Sequence, residues 1–272
     1  MTAGARAGAL LLAALAAAAC SGTRQRFLDV ATTTSVQNSG LLEALLPHFT
    51  AATIRVHAAG SGRSLEMMAD GIVDLVITHA PQTEARLLTA HPGWLYRKLA
   101  HNRFVIVGPP DDPARVGKAT DTIDAFRRIA GAPVTFVSRG DASGTHEREQ
   151  ALWQDAGVTP DEARLIVSGR GMALTLRHAQ ERRGYTLADE ATYWQLEHQL
   201  DLAVLSVGDP RLLNTYAVVH PPANPLAEAF TEWLTRGDGR ARIAAYQIEG
   251  RPAFTIWPAG CPDERPELLP CP

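Results

Sequence analysis

The chain has 272 residues, 46% of them hydrophobic and 20% charged, with a formal net charge of −3. That is enough apolar material for one or two ordinary cores. It lacks the broad basic character of a nucleic-acid binder, so no nucleic acid is expected as a partner and any anion site has to be local.

At the amino end, Arg6 precedes the run AGALLLAALAAAAC, which is too short to cross a bilayer and suits a secretory h-region. Cys20 closes that run and is followed by the small, polar SGTRQR, an arrangement that resembles a bacterial lipoprotein site, although Ala17 stands where Leu is usual. Residues 1–26 are therefore expected to be a signal peptide and tether with lipidation at Cys20; cleavage after Ala19 without a lipid is the competing reading. Either places the mature chain in the periplasm or at the cell surface. Cys261 and Cys271 bracket a Pro-rich tail, and in an oxidising compartment a disulfide between them is one reading and two free thiols the other.

Beyond the tether, FLDVATT, SGLLEALLPHF, IRVHAAG, RSLEMMADG and VDLVITH alternate strand-like and helix-like patterns as βαβαβ. A second α/β series runs from VTFVSRG through LIVSG and GYTLADE to LAVLSVG. NRFVIVGPPDDP leaves the first series and LNTYAVVHPPANP returns to it. Two crossings predict an α/β fold of two lobes, each a mixed sheet flanked by helices, with the ligand cleft between them: residues 27–108 and 214–272 form lobe I, and 109–213 form lobe II. In open α/β sheets, ligands sit where strands end and helices begin.

Three such junctions share one chemistry. TTTSVQNSG carries Thr32, Thr33, Thr34 and Ser35; GSGRS carries Ser61 and Gly62; SRGDASGTHEREQALW carries Arg139, Asp141, Ser143, Gly144 and Thr145. Helix starts present N–H donors and partial positive charge, and glycine lets backbone approach a ligand. Arg139 adds a fixed charge with a planar fork of donors, and Asp141 stands two residues away to hold it. Any one junction alone reads as an ordinary helix cap; three together point to an oxyanion site. Arg63 reads equally well as a solvated surface residue, and Trp153 as core. Nothing pairs His, Cys and carboxylates at metal-ligand spacing, so neither a metal cation nor another cofactor is expected.

The segments ATTTSVQNSGLLEALLP, VDLVITHAP, FVIVGPPDDP, FVSRGDASGTHEREQALWQDAGV and SGRGMALTLRHA together resemble the tungstate-binding proteins of bacterial ABC transporters, in the periplasmic binding protein superfamily. The resemblance implies a two-lobed fold and capture of tungstate for a membrane permease, by a chain expected to be a monomer. Its TTTS motif falls on Thr32 to Ser35. The pattern Arg-x-x-x-Ser-Gly-Thr, shared with phosphate-binding relatives, puts Arg139, Ser143, Gly144 and Thr145 on the anion. GSGRS is the looser match. Where phosphate binders carry an Asp that accepts the proton phosphate retains, this chain has His79, which favours a fully deprotonated anion, tungstate, molybdate or sulfate; among these three the resemblance alone selects tungstate, with molybdate second. An enzyme is not expected. Ser143, His146 and Asp141 suggest a serine hydrolase, but GDASG lacks the Gly-x-Ser-x-Gly elbow.

Overall fold

The computed structural model describes residues 26–206 and 208–266. The first stretch of chain is β1 (Phe27–Thr33), α1 (Thr34–Asn38), α2 (Leu41–Leu45), β2 (Thr53–Ala59), α3 (Ser61–Ala69), β3 (Leu75–Thr78) and α4 (Pro81–Ala90), followed by the long strand β4 (Leu95–Gly108). The middle holds α5 (Thr122–Gly131), β5 (Phe136–Ser138), α6 (Gly144–Ala156), β6 (Leu165–Val167), α7 (Met172–Glu181), β7 (Thr186–Asp189), α8 (Glu190–Leu196) and β8 (Ala203–Ser206). The chain then returns through β9 (Leu213–His220), α9 (Pro225–Thr235), α10 (Asp238–Ala245) and the short strands β10 (Gln247–Ile248), β11 (Arg251–Pro252) and β12 (Thr255–Ile256).

The principal sheet runs β12-β4-β9-β3-β1-β2. β1 lies parallel to β2 and β3, while β9 runs antiparallel to β3 and β4. β3, buried at every position, reads LVIT, the continuous apolar run expected of a strand covered on both faces. One face packs Leu28, Val30, Leu42, Tyr216 and Phe230 beneath α2 and α9. The other packs Ala31, Leu65, Met68, Val76 and Val219 beneath α3.

β4 belongs to two cores. Leu95 to Arg103 pair with β9, whereas Phe104 to Val107 pair with β7. Alternation along the strand then sends Phe104 and Ile106 into a cluster with Phe126, Trp153 and Leu187, and Val105 and Val107 into another with Val137, Met172 and Leu176. The lobes thus meet inside β4. Residues 104–107, which sequence grouped with lobe I, pack with the middle of the chain. Asn102 faces Asn214 in register at the crossing, and the Asn214 amide donates to Asn102 Oδ1 at 2.9 Å.

Trp153 is a core residue, edge-on to Phe126 and Phe136 at 4.4 and 5.0 Å between ring centres. α8 ties the lobes together as well: Ala191 packs in the first lobe and Tyr193 in the second. Arg251 pairs with Glu197 and lies 4.7 Å over the Trp194 ring. Cys20 and Cys271 lie outside the described residues, as does the leader; Cys261 is disulfide-bonded. Among the described residues no helix is long and apolar enough to cross a membrane.

Candidate functional site

Four strand-to-helix junctions, two from each lobe, meet between the lobes. α1 follows β1, and its N-cap Thr33 spends the hydroxyl oxygen on the Val36 N–H at 3.1 Å. α3 begins after Gly60 with no side-chain cap, and Ser61 Oγ is buried without a partner, as is Thr32 Oγ1 at the end of β1. In the second lobe, Ser143 caps α6 by accepting the His146 N–H at 3.3 Å, and α7 begins after Gly171, again without a side-chain cap. Closeness is set by glycine. A Cβ built on Gly60 lies 3.3 Å from the Asp141 carbonyl oxygen, one on Gly62 lies 3.4 Å from that of Ala142, and one on Gly171 lies 3.3 Å from Thr34 Oγ1. At Gly144 a Cβ lies only 2.2 Å from the His79 carbonyl oxygen, so the lobes touch there backbone to backbone.

Arg139 is wholly buried at the centre. Its Nη2 donates to Asp141 Oδ2 at 2.6 Å, its Nε to the Arg170 carbonyl at 3.2 Å, and its Nη1 to Thr145 Oγ1 at 3.4 Å and Met172 Sδ at 3.6 Å. Those four acceptors leave one of its five N–H hydrogens for a ligand. Asp141 also accepts the Ser143 N–H at 3.2 Å, so one carboxylate orients both the guanidinium and the start of α6. The turn that allows this puts Gly140 and Ala142 in the left-handed region, with φ of 59° and 53°.

Two further carboxyls surround the arginine. Glu149 Oε2 accepts the Arg139 backbone N–H at 3.1 Å, and burial raises its pKa to about 7. Asp189 caps α8 through the Thr192 N–H at 2.9 Å; burial raises its pKa, while the Thr192 bonds and the Arg139 charge oppose that rise.

His79, 2% exposed, ends the junction after β3. Its Nδ1 meets Asn214 Oδ1 at 2.9 Å, and the Asn214 amide donates to Asn102 and to the Tyr216 hydroxyl. Burial first, and the Arg139 charge second, push the imidazole pKa down to about 4. It is neutral at physiological pH and adds no negative charge to the cleft.

The predicted residues therefore gather: Thr33, Thr34, Ser35, Ser61 and Gly62 on one side, Arg139, Asp141, Ser143, Gly144 and Thr145 on the other. Arg63 stands apart, with its side chain 59% exposed and paired to Glu66 at 3.2 Å. Sequence reasoning missed Glu149, Asp189 and the part that Arg170 and Met172 play in holding Arg139. The only advance signal for the last two was the glycine pair in SGRGM ahead of an amphipathic run. The serine hydrolase arrangement does not form: Ser143 Oγ takes the His146 backbone N–H, and His146 Nδ1 takes the Ala142 N–H at 3.2 Å. Among the described residues no cluster of His, Cys, Asp and Glu is placed to hold a metal ion.

Residues 21–238 match the model of the PBP superfamily domain. The chain is 37% identical over 242 residues to the tungstate-binding protein TupA of Peptoclostridium acidaminophilum, covering 83% of this chain and 84% of that one. The crystal structure of the tungstate ABC transporter from Geobacter sulfurreducens is similar at a TM-score of 0.73 and 37% identity, over 81% of this chain and 98% of that one. The tungstate-binding protein TupA from Desulfovibrio alaskensis is similar at 0.72 and 35%, over 85% and 98%.

Proposed function

We propose, since the chain belongs to the PBP superfamily, that it is an extracytoplasmic solute-binding protein that captures tungstate and presents it to the membrane permease of an ABC importer. The observation that carries this reading is the buried Arg139, with a hydrogen to spare, among uncapped helix starts and the unpartnered hydroxyls of Thr32 and Ser61. A tetrahedral dianion without protons offers acceptors only, which is what such a set of donors satisfies. Neutral His79 sets no negative charge against the cleft, so a dianion without protons meets no like-charge repulsion there, which supports tungstate, molybdate or sulfate. The named function of the relatives supports tungstate among these three.

The ligand is held by Thr33, Thr34, Ser35, Ser61 and Gly62 from lobe I and by Arg139, Ser143, Gly144 and Thr145 from lobe II, with Asp141 and His79 in support. The protein captures and releases without catalysing a reaction. The lobes hinge at the crossing of β4 and β9, where Asn102 and Asn214 pair, and the anion joins them by accepting from both. The mature chain is a monomer tethered through a lipid on Cys20. Calorimetry with tungstate, molybdate, sulfate and phosphate tests the reading: tungstate is expected to bind most tightly and phosphate least. Sulfate or phosphate binding more tightly than tungstate, or no heat from tungstate at all, would overturn it.

A further inference from the structure

A second bridge between the lobes lies beside the cleft, and nothing in the anion site requires it. α4 opens with Ala80 as its N-cap, a residue with no polar side chain, so the first N–H groups of the helix receive no cap from their own N-cap residue. The Ala80 N–H is taken by Glu84 Oε1 at 2.7 Å, four residues along. The next donors are met from the other lobe. Glu147, in the first turn of α6, accepts the Gln82 N–H at 2.8 Å, the Thr83 N–H at 3.0 Å and the Thr83 hydroxyl at 2.8 Å. α4 packs through Leu87 and Leu88 on the core of the first lobe, and α6 through Leu152 and Trp153 on that of the second. One carboxylate thus makes three hydrogen bonds across the cleft, and it faces the positive end of α4 from the positive end of α6.

We infer that Glu147 is an affinity-setting latch, a positioning residue that touches no ligand and holds the lobes in the closed, ligand-retaining arrangement by capping α4 from the opposite lobe. The inference rests on the reading that the cleft closes on an oxyanion. Because the latch stabilises the closed complex of any anion alike, losing it weakens every ligand by the same factor and leaves their ranking unchanged. The loss appears in dissociation, since the three bonds form only after the lobes have met. This separates Glu147 from Arg139, whose removal changes what the cleft recognises.

The test compares the full-length protein with Glu147→Gln, which keeps the size of the side chain and removes its charge, and with Thr83→Val, which removes only the hydroxyl bond. Stopped-flow mixing with sodium tungstate is expected to show dissociation about tenfold faster in Glu147→Gln and a few-fold faster in Thr83→Val, with association unchanged. Small-angle scattering without ligand is expected to show a larger radius of gyration in Glu147→Gln. A dissociation rate and a ligand-free radius both equal to wild type would overturn the latch. Should the wild type bind no tungstate, the proposed ligand fails and the scattering comparison alone decides the latch.

Discussion

The start of α4 and the proposed anion site at Arg139 both set hydrogen-bond donors against a negative charge, that of Glu147 in the one and that of the captured anion in the other, but the surroundings are opposite. The Arg139 site is buried, keeps a fixed cation and, on the proposed reading, takes its bridging charge from outside. The α4 site is partly open to water, has helix ends in place of a cation, and carries its bridging charge on Glu147. Where water is excluded, each charge-assisted bond is strong and an unmatched group is costly, so that site discriminates. Where water enters, the same bonds are worth less and serve to trim the balance between open and closed. On the proposed reading, recognition and closure thus fall to different residues.

The sharpest way to break this comparison is Arg139→Ala. A buried charged partner contributes up to about 3 kcal/mol, so tungstate affinity is expected to fall about 100-fold. Retention within a few-fold of wild type in calorimetry would mean that the buried bridge is not where recognition happens.

Next in size is Glu84→Gln, which tests α4 itself. Burial is the main reason that the Glu84 pKa rises to about 7, with the Glu147 charge adding to it, while the bonds from the Ala80 N–H and the Tyr96 hydroxyl oppose the rise. A carboxyl with a raised folded pKa binds more protons folded than unfolded between its model value of 4.5 and about 7. Its contribution is complete below 4.5 and is lost as pH rises through 7. Relative to wild type, Glu84→Gln is expected to gain about 2 kcal/mol in ligand-free stability on going from pH 5 to pH 8, read by urea unfolding. His79 acts with the opposite sign, its contribution present above 6.5 and lost on acidification through about 4, but it is common to both proteins and cancels. The same offset at both pH values would show Glu84 to be ionised throughout.

A smaller, more selective change is His79→Asp. A carboxylate beside the cleft repels a dianion that has no proton, whereas hydrogen phosphate can donate one, so the ratio of tungstate to phosphate affinity is expected to fall about tenfold. If both affinities drop by one factor together with the ligand-free melting temperature, His79 only packs behind the first loop.

The local parts of the fold and site were legible because each is contiguous. TTTS, GSGRS and SRGDASGT are strand ends running into helices, and their glycines and hydroxyls announce themselves within a few residues. What escaped was non-local. Nothing in RFVIVG distinguishes a strand that stays in one lobe from one that enters another, since alternation reports which face a residue takes and not which core it meets. Glu149 looks like any acid inside a helix and Asp189 like any acid at a cap, and the partners of Glu147 lie 64 and 65 residues earlier in the chain.

If the anion sits where proposed, the close approach of Gly144 to the His79 carbonyl serves as a gauge. Side chains at a meeting surface can swing aside and let jaws close to whatever depth the object between them allows; backbone cannot yield in that way. The closed gap is then a fixed dimension against which the radius of the anion is measured. On that reading a smaller oxyanion is expected to fall short of one row of donors and to lose affinity without drawing the jaws closer. Crystal structures of the sulfate, molybdate and tungstate complexes are expected to share one separation between Gly144 and His79 while their affinities differ; separations that follow the radius of the anion would show that the jaws, and not the caliper stop, adapt.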